Sequence, residues 1–156
     1  MRVLVTGALG WTAKAIIEAL VEEQYQVSGL DLPSATSHAN TELLAHIHRG
    51  TVSDYKFVLE ATKDMDAIVH LAVATGGGYN TPTIPFDINV RGTANIFQSA
   101  IQNNIQRVVL MSSAPFHVNH NRKIHAINDR LQGQSGDFMY DMTKCLQEDI
   151  ASYYAQ

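Results

Sequence analysis

The first 31 residues constrain the fold more tightly than any other stretch. Residues 2–6 (RVLVT) read as a short buried strand, because Val3, Leu4 and Val5 are consecutive β-prone residues of the kind found in a parallel sheet covered on both faces. Gly7 and Gly10 then interrupt the run, and beyond them Ala13, Ile16, Ile17, Leu20 and Val21 recur at helical spacing. Strand, glycine turn and helix in that order are the context a dinucleotide-binding turn requires. Gly7 can take the tight corner without a Cβ penalty, and Gly10 lets the backbone approach a pyrophosphate. The amides at the helix start, around Trp11 and Thr12, would face the anion with the helix dipole behind them. A second strand at 26–30 ends at Asp31, about 20 residues past the turn, where a carboxylate accepts hydrogen bonds from an adenosine ribose.

The rest of the chain alternates in the same way. A polar loop with Pro33 fills 32–40, a weak third strand lies at 46–48, and Ser53 or Asp54 can cap a helix at 55–62. A fourth strand is expected at 66–72, followed by a flexible loop around the triple glycine 76–78. A long helix at 85–103 and a fifth strand at 107–112 come next. A loop region at 113–137, with a short helix near 124–130, leads to a last helix at 140–155. This order predicts an α/β fold: a doubly wound parallel sheet (Rossmann fold) of strand order 3-2-1-4-5 in three αβα layers.

At 156 residues and 46% hydrophobic, the chain can bury one good core, so one domain over 1–156 is expected. A net charge of −4 gives no electrostatic case for nucleic acid or an anionic membrane, and the local basic pair Arg122-Lys123 reads as a solvated loop. The apolar start at Val3 is too short for a signal peptide, and no run of membrane-spanning length appears. The single cysteine, Cys145, excludes an internal disulfide and fits a reducing cytosol, so a cytoplasmic location is expected. Of seven histidines none forms a recognisable ligand set: His46 and His48 share a strand face, and His117 and His120 lie in a loop, so no metal is expected.

In a doubly wound sheet ligands bind beyond the carboxyl ends of the strands. Those ends are the glycine turn, Asp31, residues 72–74 and Ser112-Ser113. Tyr140 and Lys144 are four apart at the start of the last helix and share a face. A phenol titrates near pH ~10, and a neighbouring ammonium favours the phenolate. Ser113, at the end of the fifth strand, stands where a hydroxyl could orient a substrate oxygen. His70 reads as a packed core histidine and Cys145 as packing.

With these residues in view, the sequence resembles the extended short-chain dehydrogenase/reductase family, in its NAD-dependent epimerase/dehydratase branch. The matching pieces are TGALGWTA (6–13), Asp31, HLA (70–72), NVRGTAN (89–95), SSA (112–114) and YDMTK (140–144). The resemblance implies a catalytic triad of Ser113, Tyr140 and Lys144. Tyr140 would be the acid/base, Lys144 would hold the nicotinamide ribose and tune the tyrosine, and Ser113 would bind the reacting oxygen. It implies NAD as cofactor, contacted by Gly7, Gly10, Trp11, Thr12, Asp31, Thr51, Val52, Leu71, Ala72, Val73 and Asn89 together with Tyr140 and Lys144. Asn89 would sit behind the site, ordering a water or the lysine. Three departures stand out. Ala13 replaces the third glycine but is small enough for helix–strand contact. Thr51 replaces the common Asp at the adenine, beside Val52. The family's C-terminal substrate lobe, which would come after the Tyr-Lys helix, is expected to be absent.

The implied activity is hydride and proton exchange at a sugar-like or alcohol carbon, with a small-molecule substrate such as a nucleotide sugar. The alternative is a non-catalytic dinucleotide-binding module, or a truncated remnant of a longer enzyme. Asp31 would repel a 2′-phosphate, and residues 32–35 offer no arginine to neutralise one, so NAD is expected over NADP. A homodimer is expected from the second apolar stripes of the two helices flanking strand 5. These are Val90, Ala94, Phe97 and Ile101 on one, and Met142, Leu146, Ile150 and Tyr153 on the other.

Overall fold

A computed structural model describes residues 1–37, 41–75, 83–113 and 139–156. Five parallel strands form one sheet in the order β3-β2-β1-β4-β5: β1 (Arg2–Thr6), β2 (Gln26–Asp31), β3 (His46–Arg49), β4 (Ala67–His70) and β5 (Val108–Leu110). The expected strand order is thus met. Every residue of β1 after Arg2 is buried, because successive side chains enter the two cores on opposite faces of the sheet. Val3, Val5 and Val27 meet Ala13 and Ile17 of helix α1 (Trp11–Glu22) on one face. Leu4, Leu30 and Ile68 meet Val58 of α2 (Tyr55–Ala61) and Ile96 and Ala100 of α4 (Gly92–Gln102) on the other. Helix α5 (Met139–Tyr154) packs along α4 and the segment before it. Asp54 is the cap of α2, its carboxylate accepting the Phe57 N–H at 3.2 Å.

Some boundaries differ from the sequence expectation. Strand β4 is shorter because Leu71 and Ala72 turn their N–H groups to the Thr6 hydroxyl as the chain bends around the glycine turn. The helix expected at 85–103 begins as a turn, α3 (Thr83–Pro85), and passes through a six-residue π-helical segment, Phe86–Arg91, before α4. There the Gly92 N–H reaches Asp87 O five residues back rather than four. Apolar periodicity alone does not separate these two helical pitches. Asn89, Thr93, Ile96 and Ala100, spaced to share one helical face, are all buried.

Strands β3 and β5 stand at the sheet margins, and Val109 and Met111 at β5 are 53% and 40% exposed. Among the described residues no helix is long and apolar enough to cross a membrane. The readings at the triple glycine, the short helix at 124–130, His117 and His120, and Arg122-Lys123 lie outside the described residues.

Candidate cofactor and active site

The carboxyl ends of β1, β2 and β4 open into one cleft of about 360 Å³. Its floor is the glycine turn. Gly7 has φ +65°, and a Cβ there would stand 2.9 Å from the Ala72 nitrogen, so both its conformation and its closeness to β4 require glycine. A Cβ on Gly10 would meet Gly7 O at 3.1 Å. No side chain caps α1 at Gly10, which leaves the amides of its first turn for an anion. Gly7, Gly10, Trp11 and Thr12 all line the cleft, with Asp31 on the β2 side and Leu71, Ala72 and Val73 on the β4 side. Trp11 is 82% exposed at its mouth.

Asp31 is held rigidly. One carboxylate oxygen accepts the Leu9 N–H and the other the Leu32 N–H, each at 2.8 Å, leaving lone pairs for ribose hydroxyls. Val52 lines the opposite wall with Gly50, whereas Thr51 bonds Ser53 at 2.8 Å within its own turn. Ala13, at the place of the third glycine, also lines the cleft, as do Leu30, Leu32, Thr75 and Ile88, which were not singled out in the sequence. Ile88 carried a signal, since it directly precedes the NVRGTAN run.

That run has a physical reading in the structure. Asn89 clamps the segment after β4, its Oδ1 accepting the Ala74 N–H at 2.7 Å and its Nδ2 donating to Ala74 O at 3.1 Å. The same Nδ2 donates to Thr143 Oγ1 on α5 at 2.9 Å, so the amide is spent on Ala74 and Thr143 rather than on the lysine. Gly92 lets α4 close on the cleft wall, and Asn95 Nδ2 holds Val52 O at 2.9 Å. Thr93 receives the His70 ring.

His70 is 1% exposed, and its tautomer follows from its partners. Thr6 Oγ1 already accepts the Leu71 and Ala72 N–H groups at 3.2 and 3.1 Å, so its proton goes to His70 Nδ1 at 2.7 Å. His70 Nε2–H then donates to Thr93 Oγ1 at 3.1 Å. Burial, then the nearby Lys144 ammonium, push the imidazole pKa down to about 3, so the ring is neutral.

The three residues expected to form a triad come from β5 and α5. Tyr140 and Lys144 are one turn apart on α5, the first half-buried and the second only 3% exposed. Lys144 Nζ donates to Met111 O at 2.6 Å, fastening α5 to the end of β5. Burial lowers its pKa to about 8, against an opposing pull from Glu148. Ser112 donates to the Glu148 carboxylate, and half-buried Ser113 follows it. None of the three residues forms part of the cleft lining, which ends on this side at Ile88 and Thr75. Thr143, buried between α5 and the π-helical segment, was not anticipated, whereas Gln147, which its spacing puts on the same helix face as Tyr140 and Lys144, is buried between α5 and α4.

These features fit a dinucleotide: a cradle that a Cβ would fill, open helix amides and a fixed carboxylate. Comparison with known proteins agrees. The chain is 25% identical to a uronate dehydrogenase of Pseudomonas putida, over 98% of its own length and 55% of the relative's. Overall it spans about half the length of the curated relatives it matches. In fold it resembles the WbmH enzyme of Bordetella bronchiseptica in complex with NAD+, at TM-score 0.81, 24% identity and coverage of 98% of this chain and 52% of that one. The UDP-glucose 4-epimerase of Bifidobacterium longum with NAD+ and UDP is similar at TM-score 0.82 and 21% identity, covering 98% and 48%. The model of the NAD dependent epimerase/dehydratase family matches residues 3–156. The chain therefore belongs to the NAD dependent epimerase/dehydratase family, and NAD is the cofactor that membership assigns to the cleft.

Proposed function

We propose that residues 1–156 form one NAD-binding domain of an oxidoreductase that uses Ser113, Tyr140 and Lys144 at a sugar-like or alcohol carbon. The observation that carries the reading is the burial of the Lys144 ammonium one helical turn from Tyr140. A buried lysine is costly unless its charge is used, and sites of chemistry are where such groups collect. With its pKa near 8 the lysine is still mainly cationic at neutral pH, a positive charge held one helical turn from the Tyr140 hydroxyl. Tyr140 then takes or returns the proton of the reacting hydroxyl, and Ser113 orients that oxygen. Engagement of Ser112 by Glu148 supports Ser113 as the serine of the triad. NAD, when bound, supplies the hydride acceptor and donor. The glycine turn and the start of α1 hold its pyrophosphate, and Asp31 the adenosine ribose.

Nucleotide sugars are the substrate class this reading favours, since relatives of similar fold are described with UDP or UDP-glucose beside NAD. The working form in this reading is a cytoplasmic homodimer joined through α4 and α5. The test is Tyr140→Phe: turnover of a nucleotide sugar should fall by about 10²-fold or more, the usual scale of a lost acid/base, while NAD affinity stays within a factor of two or so. Full activity in that variant overturns the assignment. Tight NAD binding by the unaltered chain without turnover of any sugar nucleotide or alcohol favours a non-catalytic dinucleotide-binding module.

A further inference from the structure

The side chains behind the cleft form one series in which each hydrogen is assigned by its neighbours. Thr93 Oγ1 donates to Asn89 O at 2.6 Å and accepts from His70 Nε2–H. Its second lone pair takes Gln147 Nε2 at 2.6 Å, which fills the capacity of a hydroxyl. The orientation of the Gln147 amide is thereby fixed: nitrogen toward Thr93, oxygen toward Lys144 Nζ at 2.7 Å. Lys144 spends a second N–H on Met111 O, and an ammonium has three.

We propose that Gln147 is a positioning residue for Lys144, a neutral acceptor that sets the ammonium in place without cancelling its charge and leaves the third N–H for the cofactor. This rests on the reading of Lys144 as the ammonium that serves cofactor and tyrosine. Several features support it. Gln147 is 1% exposed, so its bonds compete with no solvent. Through Thr93, His70 and Thr6 it is tied to the strand end beneath the glycine turn, which keeps the lysine in register with the cradle. The series is also selective for an amide. A carboxylate at 147 could accept from Lys144 but would need the Thr93 proton, breaking the bond to Asn89 O. A methionine of similar length could do neither.

Among the described residues, the charged and titratable groups facing Lys144 are Glu148, which raises its pKa from the same helix, and His70 on β4, which is neutral; Tyr140 lies one turn away on α5. The test is NAD affinity measured between about pH 6 and pH 10 by quenching of Trp11, the chain's single tryptophan at the cleft mouth. In the wild type, affinity should fall through about pH 8 as Lys144 loses its proton, and Lys144→Met should remove that step. Gln147→Glu should move the step up by roughly 1 to 3 pH units through the added charge, and Gln147→Met should move it down and weaken binding at neutral pH. A residue that merely packs would lower the melting temperature in both variants and leave the step alone. A step unmoved in Gln147→Glu but absent in Lys144→Met overturns the role of Gln147 while the lysine's stands. A step retained in Lys144→Met removes the lysine's role, and this inference with it. If circular dichroism shows Gln147→Glu unfolded, Gln147→Met decides, an unmoved step there counting against the proposal.

Discussion

Asp31 shows how much one residue can decide. Both of its oxygens are anchored by backbone amides, so the carboxylate cannot swing away from a 2′-phosphate, and NAD should bind more tightly than NADP. The structure adds what the loop sequence lacks. Arg49, opposite Asp31 in the β2–β3 register, places Nη1 3.3 Å from Leu32 O and 3.4 Å from Ala35 O. An arginine thus stands over the loop after all, supplied by strand pairing. Asp31→Ala should cost NAD roughly tenfold or more, a hydrogen bond to a charged group being worth about 1.5–3 kcal/mol. The same change should raise NADP affinity, closing the gap, and adding Arg49→Ala should reverse that gain. Titration calorimetry with both cofactors reads all three, and an unchanged preference in Asp31→Ala refutes the account. Asp31 was legible because its distance from the glycine turn is a property of the chain. Arg49 and Thr143 were not, and for Gln147 spacing gives the helix face but not its partners, because what these residues touch is settled by which strand or helix comes alongside, far away in sequence.

At the scale of elements, the strand order and the placement of the ends of β1, β2 and β4 around one crevice followed from alternation of apolar runs and turns, whereas the end of β5, expected there too, stands outside the cleft lining. The π-helical segment did not, since its phase differs from an α-helix by less than side-chain periodicity resolves. Its neighbour Gly92 provides a test of sign. Alanine for glycine inside a helix ordinarily stabilises by about 1 kcal/mol. Here the added Cβ would meet Val52 Cγ2 at 2.5 Å, and Val52 is 3% exposed in the cleft wall. Gly92→Ala should therefore lower the melting temperature, with overpacking costing about 1–3 kcal/mol, and weaken NAD binding as Val52 is pushed into the cleft. A rise in melting temperature with unchanged affinity would show that α4 does not lean on that wall.

The whole molecule carries an apolar surface that its own sheet does not use. Ile101 is 56% and Tyr153 71% exposed, on the neighbouring helices α4 and α5. Phe97 is instead stacked on Tyr154 within the chain, ring centroids 5.6 Å apart, so it is an ambiguous probe of association. If the two helices pair with those of a twofold mate, light scattering should give twice the 17.2 kDa chain mass, and Ile101→Glu or Tyr153→Glu should return the monomer. A wild-type monomer at high micromolar concentration, or a dimer indifferent to both charges, removes that interface. The sheet margin at β5 has a different consequence, for handling rather than for architecture. Among the described residues its outer backbone pairs with no further strand, and Val109 and Met111 offer apolar side chains there instead of the lysines or prolines that blunt such edges. Turbidity on concentration or storage would begin at this margin, and strand-like aggregates would grow from it.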